Sequence, residues 1–196
     1  MEAVDLHYQA FTKSVRSITG YRISHDMHDR FLNGLSTRQK IKWLCENGIT
    51  HVDCIEEIFN LKQKLTLDLI PETIKPDPIK VSMMEQLASE YTLACVSNCV
   101  RASVDALLTQ VDLFRFMAVT ISNEDVNNPK PASDPYLKAC SLLGMDRNDC
   151  MAIEDNRNGF LSANKAGIDC WMVEYDTVTY EHITNSIKGF NQSRLI

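Results

Sequence analysis

Three short stretches of this chain carry side chains that could do chemistry. The first is Ala152-Ile153-Glu154-Asp155-Asn156-Arg157-Asn158-Gly159, where an apolar run delivers two adjacent carboxylates to a turn ahead of a helical pattern. Carboxylates are hard oxygen ligands, and Mg²⁺ takes one or two of them together with substrate phosphate oxygens. The second is Val96-Ser97-Asn98, a hydroxyl and an amide at the end of a buried run. With the free backbone N–H groups of a following helix, such a pair suits a phosphate oxygen. The third is Asn128-Pro129-Lys130-Pro131-Ala132-Ser133-Asp134, whose lysine stands between two prolines that restrain the backbone. An ammonium held there would stabilise charge on a phosphoryl group and on an attacking carboxylate. Taken singly, each stretch has a plainer reading: an acid pair or a serine capping a helix, or a lysine on a surface loop.

The elements that must position these residues fall into two regions. Up to residue 70 the pattern is helical. Leu6, Ala10, Val15 and Ile18 make a stripe over residues 3 to 19 that ends at Gly20. Ser24 can cap a short helix through Leu32, Asn33-Gly34 is a turn, and Ser36 or Thr37 opens a helix carrying Ile41, Leu44 and Cys45. Asp53 then caps a longer helix that Pro71 halts. After the proline-rich connector 71–78, apolar runs near 91–97, 117–121, 150–153 and 170–173 alternate with helical runs near 79–89, 100–108, 134–143 and 159–166. A last helix is expected near 180–187. That alternation predicts right-handed βαβ units on a parallel sheet, with ligands at the carboxyl ends of the strands. The expected architecture is α/β: a Rossmann-like parallel sheet flanked by helices over 71–196, preceded by a helical unit over 5–70.

Composition sets the outer bounds. With 196 residues, the chain is long enough for one domain, with or without an insertion. A net charge of −6 argues against a nucleic-acid surface, which requires a basic stripe. No apolar run reaches membrane-spanning length and the start carries no signal-peptide pattern. The seven cysteines are odd in number and scattered, as expected for small buried hydrophobes in the reducing cytoplasm. Cys95 and Cys99 have no second pair at zinc spacing, and His25 and His28 sit in a polar run that reads as a solvated helix start. No Gly-x-Gly-x-x-Gly follows a strand, which argues against a dinucleotide site.

In chain order, the hydroxyl, the lysine and the acid pair resemble motifs two, three and four of the haloacid dehalogenase (HAD) superfamily. Lys130-Pro131-Ala132-Ser133-Asp134-Pro135-Tyr136-Leu137 is similar to that superfamily's Lys-Pro-x-Pro-Asp-x-[Phe/Tyr]-Leu, with Ser133 where proline is usual. Glu154-Asp155-Asn156-Arg157-Asn158-Gly159 is similar to its Glu-Asp-Ser-x-x-Gly, with Asn156 for serine. The helical first third resembles the cap of the β-phosphoglucomutase-like branch. Leu6-His7-Tyr8-Gln9-Ala10-Phe11 matches the segment entering that cap, and Asn33-Gly34-Leu35-Ser36 the loop that closes on substrate.

The resemblance implies a Mg²⁺-dependent phosphatase or phosphomutase acting on a small phosphorylated metabolite, a sugar phosphate by expectation, through an aspartyl-phosphate. Ser97 and Asn98 would hold the phosphoryl group, Lys130 would neutralise it and the nucleophile, and Glu154 and Asp155 would hold Mg²⁺. His7 would lie near the substrate on the cap side. Arg38 would join it, although it stands one position away from the family's substrate-contacting arginine. Thr37, Arg38, Lys40 and Lys42 could meet an anion, but the solvated face of an amphipathic helix is the plainer expectation. In one respect the chain departs from the family: no apolar strand ending in Asp-x-Asp occurs in it. The nucleophile, the acid/base and the central strand are therefore expected to be missing, leaving two unpaired inner sheet edges and no turnover. Two readings follow: an N-terminally shortened enzyme, or a non-catalytic phosphate- or metal-binding relative with a regulatory or scaffolding role.

Overall fold

The computed structural model describes residues 3–174 and 178–192. Helix α1 (Ala3–Thr19) turns Leu6, Ala10, Phe11, Ser14 and Val15 inward. The Ser24 hydroxyl accepts the Met27 N–H and so caps α2 (His25–Met27). That helix continues as one wide π-turn, His28–Leu32, closed by the Asn33 N–H on the His28 carbonyl at 2.8 Å. Helix α3 (Thr37–Glu46) opens on a full capping box, in which Ser36 and Gln39 each satisfy the other's backbone N–H. Helix α4 (Ile55–Thr73) packs along α1, and Phe11, Val15, Ile23, Leu32, Ile41, Leu44 and Ile58 close the core of this unit.

Three local expectations need correction. Asp53 lies inside a 3₁₀ turn, Val52–Cys54, and does not cap α4. Pro71 sits within the last turn of α4 and does not halt it; only one backbone hydrogen bond is forfeited there, because the helix ends at Thr73 anyway. His28, expected at a solvated helix start, is 1% exposed because the π-turn rotates it inward.

The second unit alternates as the periodicity predicts. Its elements are α5 (Pro78–Glu90), β1 (Leu93–Val96), α6 (Arg101–Gln110), β2 (Met117–Ile121), α7 (Asp134–Leu143), β3 (Met151–Glu154), α8 (Arg157–Ala166), β4 (Asp169–Met172) and α9 (Tyr180–Gln192). Pairing is parallel, in two halves: β1 with β2, where Val96 faces Ile121, and β3 with β4, where Glu154 faces Met172. Among the described residues no strand joins β1 to β3. Between them lies a cavity of about 630 Å³, lined by Leu93, Ala94 and Val96 on one side and Met151, Ala152 and Ile153 on the other. Leu87 of α5 and Tyr136 of α7 also line it.

All seven cysteines are free, and Cys140 alone is buried; the other six are partly exposed. Among the described residues no helix is long and apolar enough to cross a membrane.

Candidate functional site

The carboxyl ends of β1 and β3 open on one pocket of about 300 Å³ under the helical unit. His7, Ser97, Asn98, Lys130, Glu154 and Asp155 all line it, although they come from four separate stretches of chain. The parallel strands bring them together, since each strand delivers its last residue and the following turn to the same edge.

Lys130 and Glu154 form the buried centre, at 7% and 9% exposure. The Lys130 ammonium donates to the Val96 carbonyl at 2.9 Å and to the Glu154 carboxylate, and lies 5.1 Å from the centre of the Tyr136 ring. An ammonium has three donors, so one remains for the pocket. Glu154 also accepts the Tyr136 hydroxyl, whose pKa is driven far above the usual range by burial and by the Glu154 charge. Gly159 makes room for this pair, because a Cβ there would overlap the Glu154 carboxylate.

Asn98 does not present its side chain to a ligand as the sequence suggested. Its Oδ1 accepts the Lys130 N–H at 2.9 Å, and its Nδ2 donates to the carbonyls of Lys130 (3.0 Å) and Gly34 (3.2 Å). A side-chain amide offers a donor and an acceptor together, and here it clamps the lysine loop to the 33–36 turn. Gly34 has φ +74°, and a Cβ there would overlap the Asn156 side chain, so glycine is required where the two loops meet. The Ser97 hydroxyl accepts the Cys99 N–H at 3.1 Å and keeps its own hydrogen to donate.

Arg38 points elsewhere. It pairs with Glu56 (3.1 Å through its second guanidinium nitrogen) and lies 4.2 Å over the Phe59 ring, with 54% of its side chain exposed. One helical position is a rotation of roughly 100°, so Thr37 and Lys40 line the pocket while Arg38 turns away.

Lys40, expected on a solvated helix face although able to meet an anion, belongs with Lys62 and His28 to a group of buried cations that the sequence pattern does not mark as a site. Lys40 is 7% exposed, Lys62 5% and His28 1%, and all three line the pocket. Lys40 Nζ lies 3.1 Å from His28 Nε2, and Lys62 Nζ lies 3.4 Å from the Gln63 side-chain oxygen. Among the described residues neither lysine is ion-paired with a carboxylate. Burial, then the neighbouring Lys62, lowers Lys40 to about 8; burial also lowers Lys62. Burial and Lys40 lower His28 to about 4. A signal was present: Lys62 falls four residues after Ile58 and four before Thr66, both buried on α4, where a packing residue is expected.

Asp155 is exposed at the rim, whereas Glu154 is committed to Lys130 and Tyr136. Among the described residues no group of three or more His, Cys, Asp or Glu side chains gathers as a metal cage. Mg²⁺ does not need one, because it takes one or two carboxylates and fills its octahedron with water and substrate oxygens. Asp155 beside the pocket fits that requirement.

Hydroxyl, ammonium and carboxylates gather at the carboxyl ends of parallel strands, where open α/β sheets hold their ligands. The haloacid dehalogenase-like hydrolase family matches residues 1–173, and the chain belongs to that family. It is 38% identical over 87 residues to protein CbbY of Rhodobacter capsulatus, covering 41% of this chain and 37% of the relative. It is 35% identical over 80 residues to a phosphoglycolate phosphatase of Salmonella paratyphi A, covering 41% of this chain and 32% of that enzyme. The matched stretches thus span about a third of the length of these curated relatives. Among solved structures, β-phosphoglucomutase of Clostridium difficile superposes with a TM-score of 0.80 at 17% identity, over 98% of this chain and 93% of that one. CbbY of Rhodobacter sphaeroides in complex with phosphate superposes with a TM-score of 0.77 at 20% identity, over 86% and 79%.

Proposed function

We propose that the pocket binds a small phosphorylated metabolite that carries a second anionic group. The observation that carries this reading is the pair of buried lysines, Lys40 and Lys62, without carboxylate partners at a pocket that also holds Lys130 and Ser97. Burying an ammonium is costly unless an anion offsets it. The phosphoryl group sits at the strand ends, where Ser97 and the third donor of Lys130 meet it. The second anion meets Lys40 and Lys62. Phosphoglycolate, which names one relative, and xylulose-1,5-bisphosphate, bound in a CbbY structure, both carry two anionic groups. Phosphorylated sugars and hydroxy acids are therefore the ligand class on this reading. On this reading Asp155, with Glu154 beside it, would hold Mg²⁺, which would supply positive charge against the phosphoryl oxygens.

The family chemistry is that of phosphatases and phosphomutases, yet the pocket's only carboxylates among the described residues are Glu154 and Asp155. Glu154 is tied to Lys130, and Asp155 is the metal ligand in this reading. Neither is left for in-line attack on phosphorus. The described chain therefore binds its ligand without turning it over. The test is thermal unfolding with 2-phosphoglycolate, p-nitrophenyl phosphate and inorganic phosphate, run beside a hydrolysis assay with Mg²⁺. The expected result is the largest stabilisation by 2-phosphoglycolate and no hydrolysis. Equal stabilisation by all three ligands refutes the second anion site. Mg²⁺-dependent hydrolysis that is lost in Asp155→Asn refutes the assignment of roles.

A further inference from the structure

Cys99 stands just beyond the end of β1, two residues after Ser97, and lines the pocket with its side chain partly exposed. Its sulfur lies 3.1 Å from His7 Nε2, a contact that α1 makes across 92 residues of chain. The other ring nitrogen of His7, Nδ1, is buried and has no hydrogen-bond partner among the described residues, while Nε2 faces the thiol. The buried Lys62 ammonium lines the same pocket. A thiol beside an imidazole, in a cationic and accessible pocket, has the surroundings of a reactive cysteine and not of a packing one.

The geometry points to Cys99 as a nucleophilic thiol that hydrogen peroxide oxidises to a sulfenic acid, with His7 as its proton acceptor. In this step His7 takes the thiol proton and the sulfur attacks one peroxide oxygen. An S–O bond forms as the O–O bond breaks, and the departing hydroxide recovers the proton from His7 and leaves as water. Sulfur loses two electrons and peroxide gains them; the products are one sulfenic acid and one water.

The other cysteines supply the contrast. Burial would raise Cys99, but the His7 charge and hydrogen bond, Lys62 and the Ser97 hydroxyl override it and leave the thiol at about 6. Burial carries Cys95, Cys150 and Cys170 up to about 11 and also raises Cys45. Cys99 is therefore set apart from Cys45, Cys95, Cys150 and Cys170, and the other cysteines of the same chain serve as internal controls.

The experiment treats the full chain with limiting hydrogen peroxide at pH 7, traps sulfenic acid with a 1,3-dicarbonyl reagent and maps it by mass spectrometry. Cys99 is expected to be labelled at least tenfold faster than any other cysteine. His7→Asn is expected to slow that labelling about tenfold and to move the midpoint of iodoacetamide alkylation at Cys99 upward in pH. Labelling of Cys99 at the rate of Cys45 or Cys54 in the wild-type chain overturns the proposal without recourse to any variant. An unchanged alkylation profile in folded His7→Asn overturns the role of His7.

Discussion

The helical unit and the α/β unit are packed differently. In the first, large side chains close on one another: Phe11, Leu32, Ile41, Leu44 and Ile58 are all 0% exposed. In the second, the buried residues around β3 and α8 are mostly small, Ala152, Ala163 and Ala166, and a 630 Å³ cavity separates the two half-sheets. Close packing makes a region intolerant of lost volume, whereas a side chain that borders a void has fewer contacts to lose. The stability of this chain is therefore concentrated in the helices, while the chemistry lies at strand ends. The two regions meet at the pocket, where Asn98 reaches across to Gly34 and where Lys40 and Lys62 lie beside Lys130.

The sharpest way to break this comparison is a pair of truncations. Leu44→Ala in the helical core is expected to destabilise by about 3–5 kcal/mol, and Leu93→Ala at the cavity wall by less than about 1.5 kcal/mol. Urea unfolding of both variants measures the difference, and equal losses would mean that the cavity is not a real weakness. Next in size is Gly159→Ala. Its Cβ would displace the Glu154 carboxylate from Lys130, for a cost of about 3 kcal/mol, because breaking a buried pair leaves a charge uncompensated. A loss under about 0.5 kcal/mol in the same assay would show that the pair rearranges freely.

The pH dependence separates the regions further. His28 is held neutral by burial and by Lys40, with its folded pKa near 4 against 6.5 when free. Between those values the unfolded chain takes up the proton first, so stability is full above 6.5 and falls as pH drops toward 4. Unfolding followed from pH 7 to pH 4 should show this slope in the wild type and a flatter one in His28→Gln. The smallest effect is expected at Arg38. Arg38→Ala removes an exposed, solvent-screened ion pair with Glu56 and should leave stability close to wild type, with phosphate affinity unchanged. A tenfold loss of phosphate affinity in that variant would return Arg38 to the site.

Much of this organisation was legible in local chemistry. Ser36 with Gln39 marks the start of α3, and Gly144 and Gly167 end α7 and α8 in the left-handed conformation that glycine accepts. The apolar runs locate the four described strands to within two residues, because parallel strands read as continuous apolar stretches, although Ile153 and Met172 are exposed in the structure. The three motif stretches also converge, since parallel strands must deliver their ends to one edge. Long-range features were not legible. The split of the sheet was expected only through the family resemblance, from the missing Asp-x-Asp strand and its two unpaired inner edges; no local pattern encodes it. The π-turn at His28–Leu32 differs from an α-turn only by an i→i+5 hydrogen bond, and it decides whether His28 faces solvent or Lys40. Asn98 was assigned to phosphate because an amide at a strand end can bind one. Its use as a clamp became visible only with Lys130 and Gly34 in place.

The central claim is that this chain's own buried cations form an anion site. Calorimetric titration with 2-phosphoglycolate at pH 7 tests it, on the wild type and on Lys62→Met, which removes a buried charge while keeping the stem's volume. The account predicts one site per chain in the wild type, at least tenfold weaker binding in Lys62→Met, and no loss of thermal stability in that variant. Equal affinity in the two folded proteins, or no binding to either, would contradict it.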